Sequence, residues 1–97
     1  MAYLTIARMH GDPDLLLDAY RRAADVMDGV GLDHGLILHA GAATGDGLLV
    51  VNLWPSRECS EAAADDPRRL ALLARAPVAP ERIRRVHHEV ERYVIAP

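Results

Sequence analysis

The sequence predicts an α+β domain of the ferredoxin-like kind, with the element order βαββαβ and both helices on one face of an antiparallel four-stranded sheet. Three observations lead to this fold class: apolar alternation near both ends of the chain, a hairpin signal at its centre, and helical periodicity on either side of that hairpin. Two right-handed β-α-β crossovers place the helices on the same face. At 97 residues the chain is expected to form one domain over residues 1–97.

The first strand and the first helix follow directly from local signals. Tyr3 to Met9 alternate around β-forming residues and predict a strand. Asp12 then provides an N-cap and Pro13 a first helical position, so a helix is expected to begin there. Its apolar positions recur at three- and four-residue steps: Leu16, Tyr20, Ala23, Met27 and Val30. Gly29 and Gly31 are expected to end this helix.

The centre of the chain predicts a hairpin. The runs Gly35 to Gly41 and Leu48 to Trp54 are almost entirely apolar and are expected to be strands buried on both faces or nearly so. The loop between them contains Asp46-Gly47, a dipeptide typical of tight hairpin turns. Its glycines match neither the P-loop nor the dinucleotide fingerprint, and a strand follows where a helix would be needed. A nucleotide phosphate site is therefore excluded.

The second half of the chain predicts a helical segment and a last strand. Ser56 is the expected N-cap of a short helix, which Asp66-Pro67 restarts or kinks into Arg68–Ala76. The buried side of the first part is expected to hold Cys59, Ala62 and Ala63. Pro77 and Pro80 close the region. Val86 to Ile95 returns to strict alternation and predicts the fourth strand.

This arrangement leaves one face of the sheet without a cover. Both helices lie on the other face, and no third helix is predicted. A second subunit packed against the bare face is the simplest way to bury it. The sequence therefore predicts a homodimer.

Composition excludes several function classes. The net charge of −3 disfavours nucleic-acid binding, and the run Arg82, Arg84 and Arg85, even if it lies near Arg68, Arg69 and Arg75, is read as a solvated helix end. A single cysteine, Cys59, excludes an internal disulfide and a cysteine-based metal site. It also fits a reducing compartment, so a cytoplasmic location is expected. No leader or membrane-spanning run is found, and no membrane partner is predicted.

Asn52 and Trp54 are the first candidate site residues. They share a face of the third predicted strand, where Asn52 is the one polar interruption of an apolar run. A buried amide needs a hydrogen-bond partner, which is either part of the protein or a phenol or carbonyl oxygen of a substrate. Trp54 is either a substrate contact or a core residue whose indole N–H is satisfied.

Histidines supply a candidate general base near neutral pH. His39, His88 and His10 lie on three different predicted strands and are expected to converge, with His39 and His88 as catalytic candidates. His87 and His88 point to opposite faces of one strand and cannot both bind one ion, so no metal site is predicted.

Three further residues are candidates for the predicted site. Arg8 and Arg92 can each place a charge beside a substrate oxyanion, although an inter-strand pair with Glu89 or Glu91, or a pair across the dimer, is the alternative. Tyr20, on the buried face of the first helix, joins Trp54 and Arg8 as the substrate-binding set.

The segment Leu48–Glu58, with its apolar strand, terminal Trp54 and serine-capped helix, resembles the antibiotic biosynthesis monooxygenase-like group of dimeric α+β barrel proteins. Element order and chain length agree with that group. Two features depart from it: Pro55 stands where an acidic residue is common, and Ala62–Ala64 replaces an aromatic residue in the following helix. These departures imply a reshaped pocket.

The resemblance implies a small enzyme of secondary metabolism. Its expected activity is that of a cofactor-independent monooxygenase or cyclase acting on an aromatic, polyketide-like molecule. The alternative is a non-catalytic small-molecule-binding or stress-responsive protein of the same fold. The same resemblance implies catalysis without metal or flavin. Haem-degrading relatives are expected to use a helix histidine as the iron ligand, and Ser56–Ala76 contains no histidine, so no haem is predicted either.

Overall fold

A computed structural model describes all residues, 1–97, and confirms the ferredoxin-like α+β fold. Its elements, in chain order, are β1 (Ala2–His10), α1 (Pro13–Asp33), β2 (Leu38–Thr44), β3 (Gly47–Trp54), α2 (Arg57–Ala64), α3 (Pro67–Leu73), a 3₁₀ turn (Pro80–Arg82) and β4 (Ile83–Val90). The sheet order is β2-β3-β1-β4, and every neighbouring pair is antiparallel. None of the helices has the length and apolar character needed to cross a membrane.

Helix α1 begins as predicted and ends later than predicted. The side chain of Asp12 accepts hydrogen bonds from the backbone N–H groups of Asp14 and Leu15. The helix continues through Gly29 and Gly31 to Asp33, so those glycines do not end it. The actual terminator is Gly35, whose φ of +81° closes a Schellman motif in which Leu36 N–H donates to the Gly31 carbonyl. Only Gly35 adopts the left-handed conformation that ends the helix.

The hairpin forms at the predicted place, with a different turn and different burial. Gly45 and Asp46 make the turn, and Thr44 pairs with Gly47, which is already the first residue of β3. Strand β3 is central in the sheet and well covered at both ends. Strand β2 is an edge strand and is exposed along nearly its whole length, contrary to the predicted burial on both faces.

The second helical region consists of two short helices, α2 and α3. Ser56 accepts a hydrogen bond from Cys59 N–H and caps α2, and Asp66 caps α3 by accepting from Arg68 N–H. The Ser56 cap is as predicted, and of the two outcomes left open at Asp66-Pro67 the helix restarts there. The buried residues of α2 are Ser60 and Ala63, while Ala62 points to solvent, so the predicted buried side is rotated.

Strand β4 lies earlier in the chain than predicted. It spans Ile83–Val90, and no strand covers Glu91 to Ile95. Its pairing with β1 ends at Val90, which lies opposite Ala2, the first residue of β1. Alternation in the sequence continues past the point where the sheet ends.

The sheet has two chemically different faces. On the helix-covered face lies the core, formed by Tyr3, Val30, Trp54 and Ala63. The opposite face, called the bare face below, carries alternate residues of all four strands, most of them aliphatic: Leu4, Ile6, Leu38, Leu49, Val51, Val86 and Val90. Leu38 and Val86 are 43% and 40% exposed. Leu53, which pairs with Leu4 and Leu38 on the same face, is 6% exposed, whereas Leu38 and Val86 remain in contact with water.

Candidate functional site

The strand register assembles a polar row on the helix-covered face. His39 pairs with Asn52, Asn52 with Thr5, and Thr5 with His87, so four polar residues cross all four strands at one level. Apolar residues dominate the same face elsewhere, as in the level formed by Ala43, Leu48, Met9 and Ile83. We call His39, Asn52, Thr5 and His87 the polar row.

A cavity with two lobes lies between this face and the helices. The first lobe has a volume of about 510 Å³ and is walled by the polar row, by Trp54 and by residues of α1 and α2. The second has a volume of about 600 Å³ and is lined mainly by apolar residues of α1, α3 and β4. The two lobes share part of their lining: Ala7, Met27, Asp28, His39, Val50, Asn52, Arg69 and Arg85. Either lobe is large enough for an aromatic metabolite.

Three side chains form a hydrogen-bonded chain at the junction of the lobes. The Tyr20 hydroxyl bonds His39 Nε2, and His39 Nδ1 lies 2.6 Å from Asn52 Oδ1. An amide oxygen only accepts, so His39 carries its proton on Nδ1 and its Nε2 accepts from Tyr20. The Tyr20 and His39 rings also stack, with centroids 5.7 Å apart. Asn52 thereby selects the histidine tautomer that can receive a proton from the tyrosine.

Tyr20 reaches this position because Gly41 has no side chain. A Cβ on Gly41 would lie 2.5 Å from carbons of the Tyr20 ring, so the ring packs directly on the β2 backbone. Partial burial and the nearby carboxylate of Asp28 raise the pKa of the Tyr20 hydroxyl above its ordinary value of 10.0. The phenol is therefore protonated at neutral pH and acts as a donor.

Trp54 is both a core residue and a wall of the first lobe. It is 6% exposed, packs in the core cluster, and donates its indole N–H to Thr5 Oγ1 at 3.4 Å. The two interpretations left open by the sequence are thus compatible. The indole is held rigidly, and part of its surface still faces the cavity.

The predicted site residues separate into two groups. Tyr20, His39, Asn52 and Trp54 meet at one cavity. His88 pairs with Leu4 and Arg8 with Leu49 and Arg84, which places both on the bare face.

The expected convergence of His39, His88 and His10 therefore does not occur within the subunit. His10 is also directed away from the cavity and lies 3.2 Å from Asp46 at the hairpin turn. Strand register explains the error, because successive residues alternate between faces and the face of His88 depends on its pairing with β1.

Most residues that line the cavity were not among the predicted site residues, and three of them matter for its chemistry. His87 belongs to the polar row, and its ring stacks on Tyr3 at 5.8 Å between centroids. Arg69 of α3 and Arg85 of β4 line both lobes. The sequence signal for the arginines was the basic run around Arg85, which was interpreted as a solvated helix end. Arg85 is exposed, but it lies on a strand and not at a helix end, and it lines the cavity.

No group of three or more histidine, cysteine or acidic side chains is arranged to hold a metal ion. The hydrogen-bond donors and acceptors at the junction are instead suited to proton transfer and to binding an oxyanion. Asn52 uses its oxygen on His39, and its amide nitrogen has no partner within the protein. Because no buried side-chain nitrogen or oxygen lacks a partner, that nitrogen is accessible.

Comparison with known proteins gives matches in structure alone. No family model and no curated protein matches the sequence. A dimeric ferredoxin-like protein of unknown function from Jannaschia sp. CCS1 superposes with a TM-score of 0.75 at 14% identity, covering 93% of this chain and 100% of that one.

Two oxygenase structures also match. A monooxygenase from the gene ActVA-Orf6 of Streptomyces coelicolor, solved with nanaomycin D, has a TM-score of 0.67 and 21% identity, and the match covers 99% of this chain and 91% of that one. A mutant of SnoaB, a cofactor-independent oxygenase from Streptomyces nogalater, has a TM-score of 0.66 and 13% identity over 96% and 94% of the two chains.

These similarities establish the fold. A further match is described as an antibiotic biosynthesis monooxygenase, with a TM-score of 0.69. The chain therefore has the fold of the antibiotic biosynthesis monooxygenase-like group of dimeric α+β barrel proteins, as the segment Leu48–Glu58 predicted. At sequence identities of 10 to 21%, the specific activity of these proteins is not assigned to this chain.

Proposed function

We propose that this protein is a small enzyme of secondary metabolism, a cofactor-independent monooxygenase or cyclase that acts on an aromatic, polyketide-like molecule. The observation that carries the proposal is the chain from Tyr20 through His39 to Asn52, which ends at an apolar cavity large enough for such a molecule. The oxygenases of the same fold support the reaction class.

Proton removal from the substrate is the step this chain performs. A substrate C–H or O–H proton passes to the Tyr20 oxygen while the Tyr20 proton moves to His39 Nε2. The imidazolium that forms keeps its Nδ1–H on Asn52, and the free Asn52 amide nitrogen donates to the enolate or phenolate oxygen. The elements needed for general base catalysis and for oxyanion stabilisation are thus adjacent.

Oxygenation then uses electrons of the substrate itself. The carbanion reduces dioxygen, one oxygen atom enters as a new carbonyl, and the other leaves as water, so a methylene and one O₂ give a ketone and one H₂O. For cyclisation the same carbanion attacks a carbonyl carbon within the substrate. The protein contributes positioning and proton transfer in both cases.

A homodimer and a cytoplasmic location belong to the same proposal. The bare face is aliphatic and lacks a cover, and Tyr93, Val94 and Ile95 after β4 are exposed as well. One match of the same fold is described as dimeric. A second copy packed on the bare face buries this surface and leaves the cavity on the outer side of each sheet.

The test is dioxygen uptake with an anthrone, whose methylene is acidic beside its carbonyl. Wild-type protein is expected to consume one O₂ per anthrone. Asn52→Leu is expected to slow turnover about 100-fold, because one oxyanion donor and the tautomer control of His39 are lost. The thermal midpoint is expected to change little, since His39 is exposed.

Val51→Leu is the matched control, because it places the same side chain one residue earlier on the opposite face of β3. Trp54, the single tryptophan, reports binding separately through its fluorescence. A fluorescence response without O₂ uptake, on anthrones and other activated aromatics, would establish the non-catalytic alternative. A large fall in midpoint with an unchanged ligand response would show that Asn52 is structural.

A further inference from the structure

Arg69 and Arg85 come together over the junction of the two lobes. Arg85 lies on β4 opposite Ala7, one level along the sheet from the polar row, and Arg69 reaches the same lining from α3. Neither guanidinium takes part in an ion pair with a carboxylate, and both line the same part of the cavity. The junction thus holds two cations that no ion pair compensates.

The electrostatics of Arg69 reflect this placement. Burial and the charge of Arg85 both lower the pKa of Arg69, while Asp65 acts weakly in the opposite direction. Its Nη1 donates to the carbonyl of Ala64 at 2.9 Å, which anchors the group and leaves its other N–H donors free. Two like charges held close repel each other, and an anion bound between them relieves that repulsion.

The other charged and titratable groups of the lining do not cancel this pair. Asp28 of α1 lines the junction but lies near Tyr20, and it forms no ion pair with either arginine. His39 is bonded to Tyr20 and Asn52, and His87 stacks on Tyr3. Asp65 also lines the first lobe, and Arg75 and Arg22 line the second, where Arg22 is paired with Asp18. With Asp28 and Asp65 counted against Arg69, Arg75 and Arg85, the lining keeps an excess of one positive charge.

We propose that Arg69 and Arg85 form a recognition site for a carboxylate of the substrate, so that the ligand class is an aromatic acid rather than a neutral aromatic molecule. Guanidinium groups bind the two oxygens of a carboxylate through paired hydrogen bonds. The apolar lobes on either side receive the rings, and the charged group lies at the junction, close to the Tyr20 proton chain. This assignment rests on the proposed function, since it requires an aromatic ligand in the cavity.

The experiment compares 2-naphthoate with 2-naphthamide, which have the same rings and differ in charge, by titration calorimetry. Wild-type protein is expected to bind the acid at least about tenfold more tightly than the amide. Arg85→Gln and Arg69→Gln are each expected to remove this preference by weakening naphthoate and leaving naphthamide unchanged. Arg84→Gln, the neighbouring arginine on the bare face, is expected to retain it.

Salt gives a second measurement that needs no variant. Because Arg69 also bonds Ala64, its replacement can perturb α3, whereas added NaCl weakens a charged contact in the intact protein. Naphthoate affinity should fall with salt and naphthamide affinity should not. Equal wild-type affinities for the two probes, or a preference that survives both substitutions, would overturn the carboxylate site while leaving the proposed function standing. Absence of binding by both probes would overturn both.

Discussion

At the scale of single residues, the chemistry of the site depends on Tyr20. It is the hydrogen-bond donor to His39 Nε2, and its hydroxyl pKa is raised by burial and by Asp28. A phenol with a raised pKa is a poor proton source in isolation. It becomes useful as a relay, because it passes its own proton to the imidazole as it takes one from the substrate.

Replacing Tyr20 with phenylalanine tests this relay. Turnover is expected to fall about 100-fold while the aromatic ring stays on Gly41 and folding is nearly unchanged. The three tyrosines can also be titrated through their absorbance near 295 nm. The Tyr20 component, whose folded pKa lies above the ordinary value of 10.0, should be missing from this titration in Tyr20→Phe.

The same shift affects stability in a defined direction. The unfolded chain releases this proton near pH 10.0 and the folded chain at a higher pH, so folding stability falls as pH rises above the unfolded value. Tyr20→Phe should reduce that alkaline loss. An identical alkaline decline in the variant, or an unchanged tyrosinate titration, would contradict the placement of Tyr20.

Individual residues also show where prediction from sequence stops. Asn52 and Trp54 were identifiable because a polar or very large residue in an apolar strand is unusual, and both line the cavity. His87 and His88 are adjacent and of one type, so the choice between them depends entirely on register with β1. Register comes from pairing between distant segments, which periodicity within one strand does not contain.

At the scale of elements, Asp66 links helix α3 to the end of helix α1. It is 9% exposed and accepts hydrogen bonds from Arg68 and from His34 Nε2 at 3.0 Å, and Arg68 also pairs with Asp33 at the end of α1. The Arg68 and His34 donors hold the pKa of the Asp66 carboxyl far below its ordinary value of 3.8. One carboxylate thus caps α3 and links it to α1.

Asp66→Asn is expected to destabilise the protein at neutral pH, because asparagine still caps a helix but loses the charge that Arg68 and His34 require. Since the folded pKa of Asp66 is depressed, its contribution is complete above the unfolded value of 3.8 and is lost as pH falls below it. Urea midpoints of wild type and variant should therefore converge in acid.

The neighbouring exposed carboxylate provides the control. Asp65→Asn removes a charge at the preceding position, where the side chain caps no helix. This variant should have a urea midpoint near that of wild type at neutral pH. Equal midpoints for Asp66→Asn and wild type at neutral pH would show that the link between α1 and α3 is not stabilising.

The start of a helix was predictable from the sequence where a side chain caps it. Asp12 and Ser56 are caps with short-range partners, and the sequence places each correctly. The ends of α1 and β4 depend on distant partners. Gly31 lies inside the helix and is buried beneath Leu36, and β4 ends where its pairing with β1 ends, opposite Ala2.

At the scale of the whole molecule, the two faces of the sheet have different tasks. The helix-covered face forms the cavity, and the bare face is the predicted dimer interface. Strand β2 was expected to be buried on both faces, but it is an edge strand that is exposed in the isolated subunit. Composition alone could not distinguish a strand buried by its own chain from one buried by a partner.

Assembly is tested by light scattering on Val86→Asp and on a matched valine. Wild-type protein should have twice the mass of the 10.6 kDa chain at micromolar concentration. A charge at Val86, 40% exposed on the bare face, should give monomers, because burial of an unpaired carboxylate opposes association. Val26→Asp, at a valine 42% exposed on α1, should remain dimeric. A stable wild-type monomer, or two dimeric variants, would contradict the proposed interface.

The alternation of side chains across this sheet has a consequence for how such a protein can evolve. His87 and His88, or Asn52 and Val51, are neighbours in the chain but belong to different surfaces. A point mutation at one position can therefore alter ligand preference while the adjacent position preserves the assembly. Selection can act on the two faces almost independently, which lets one scaffold diversify its chemistry while the quaternary architecture is inherited unchanged.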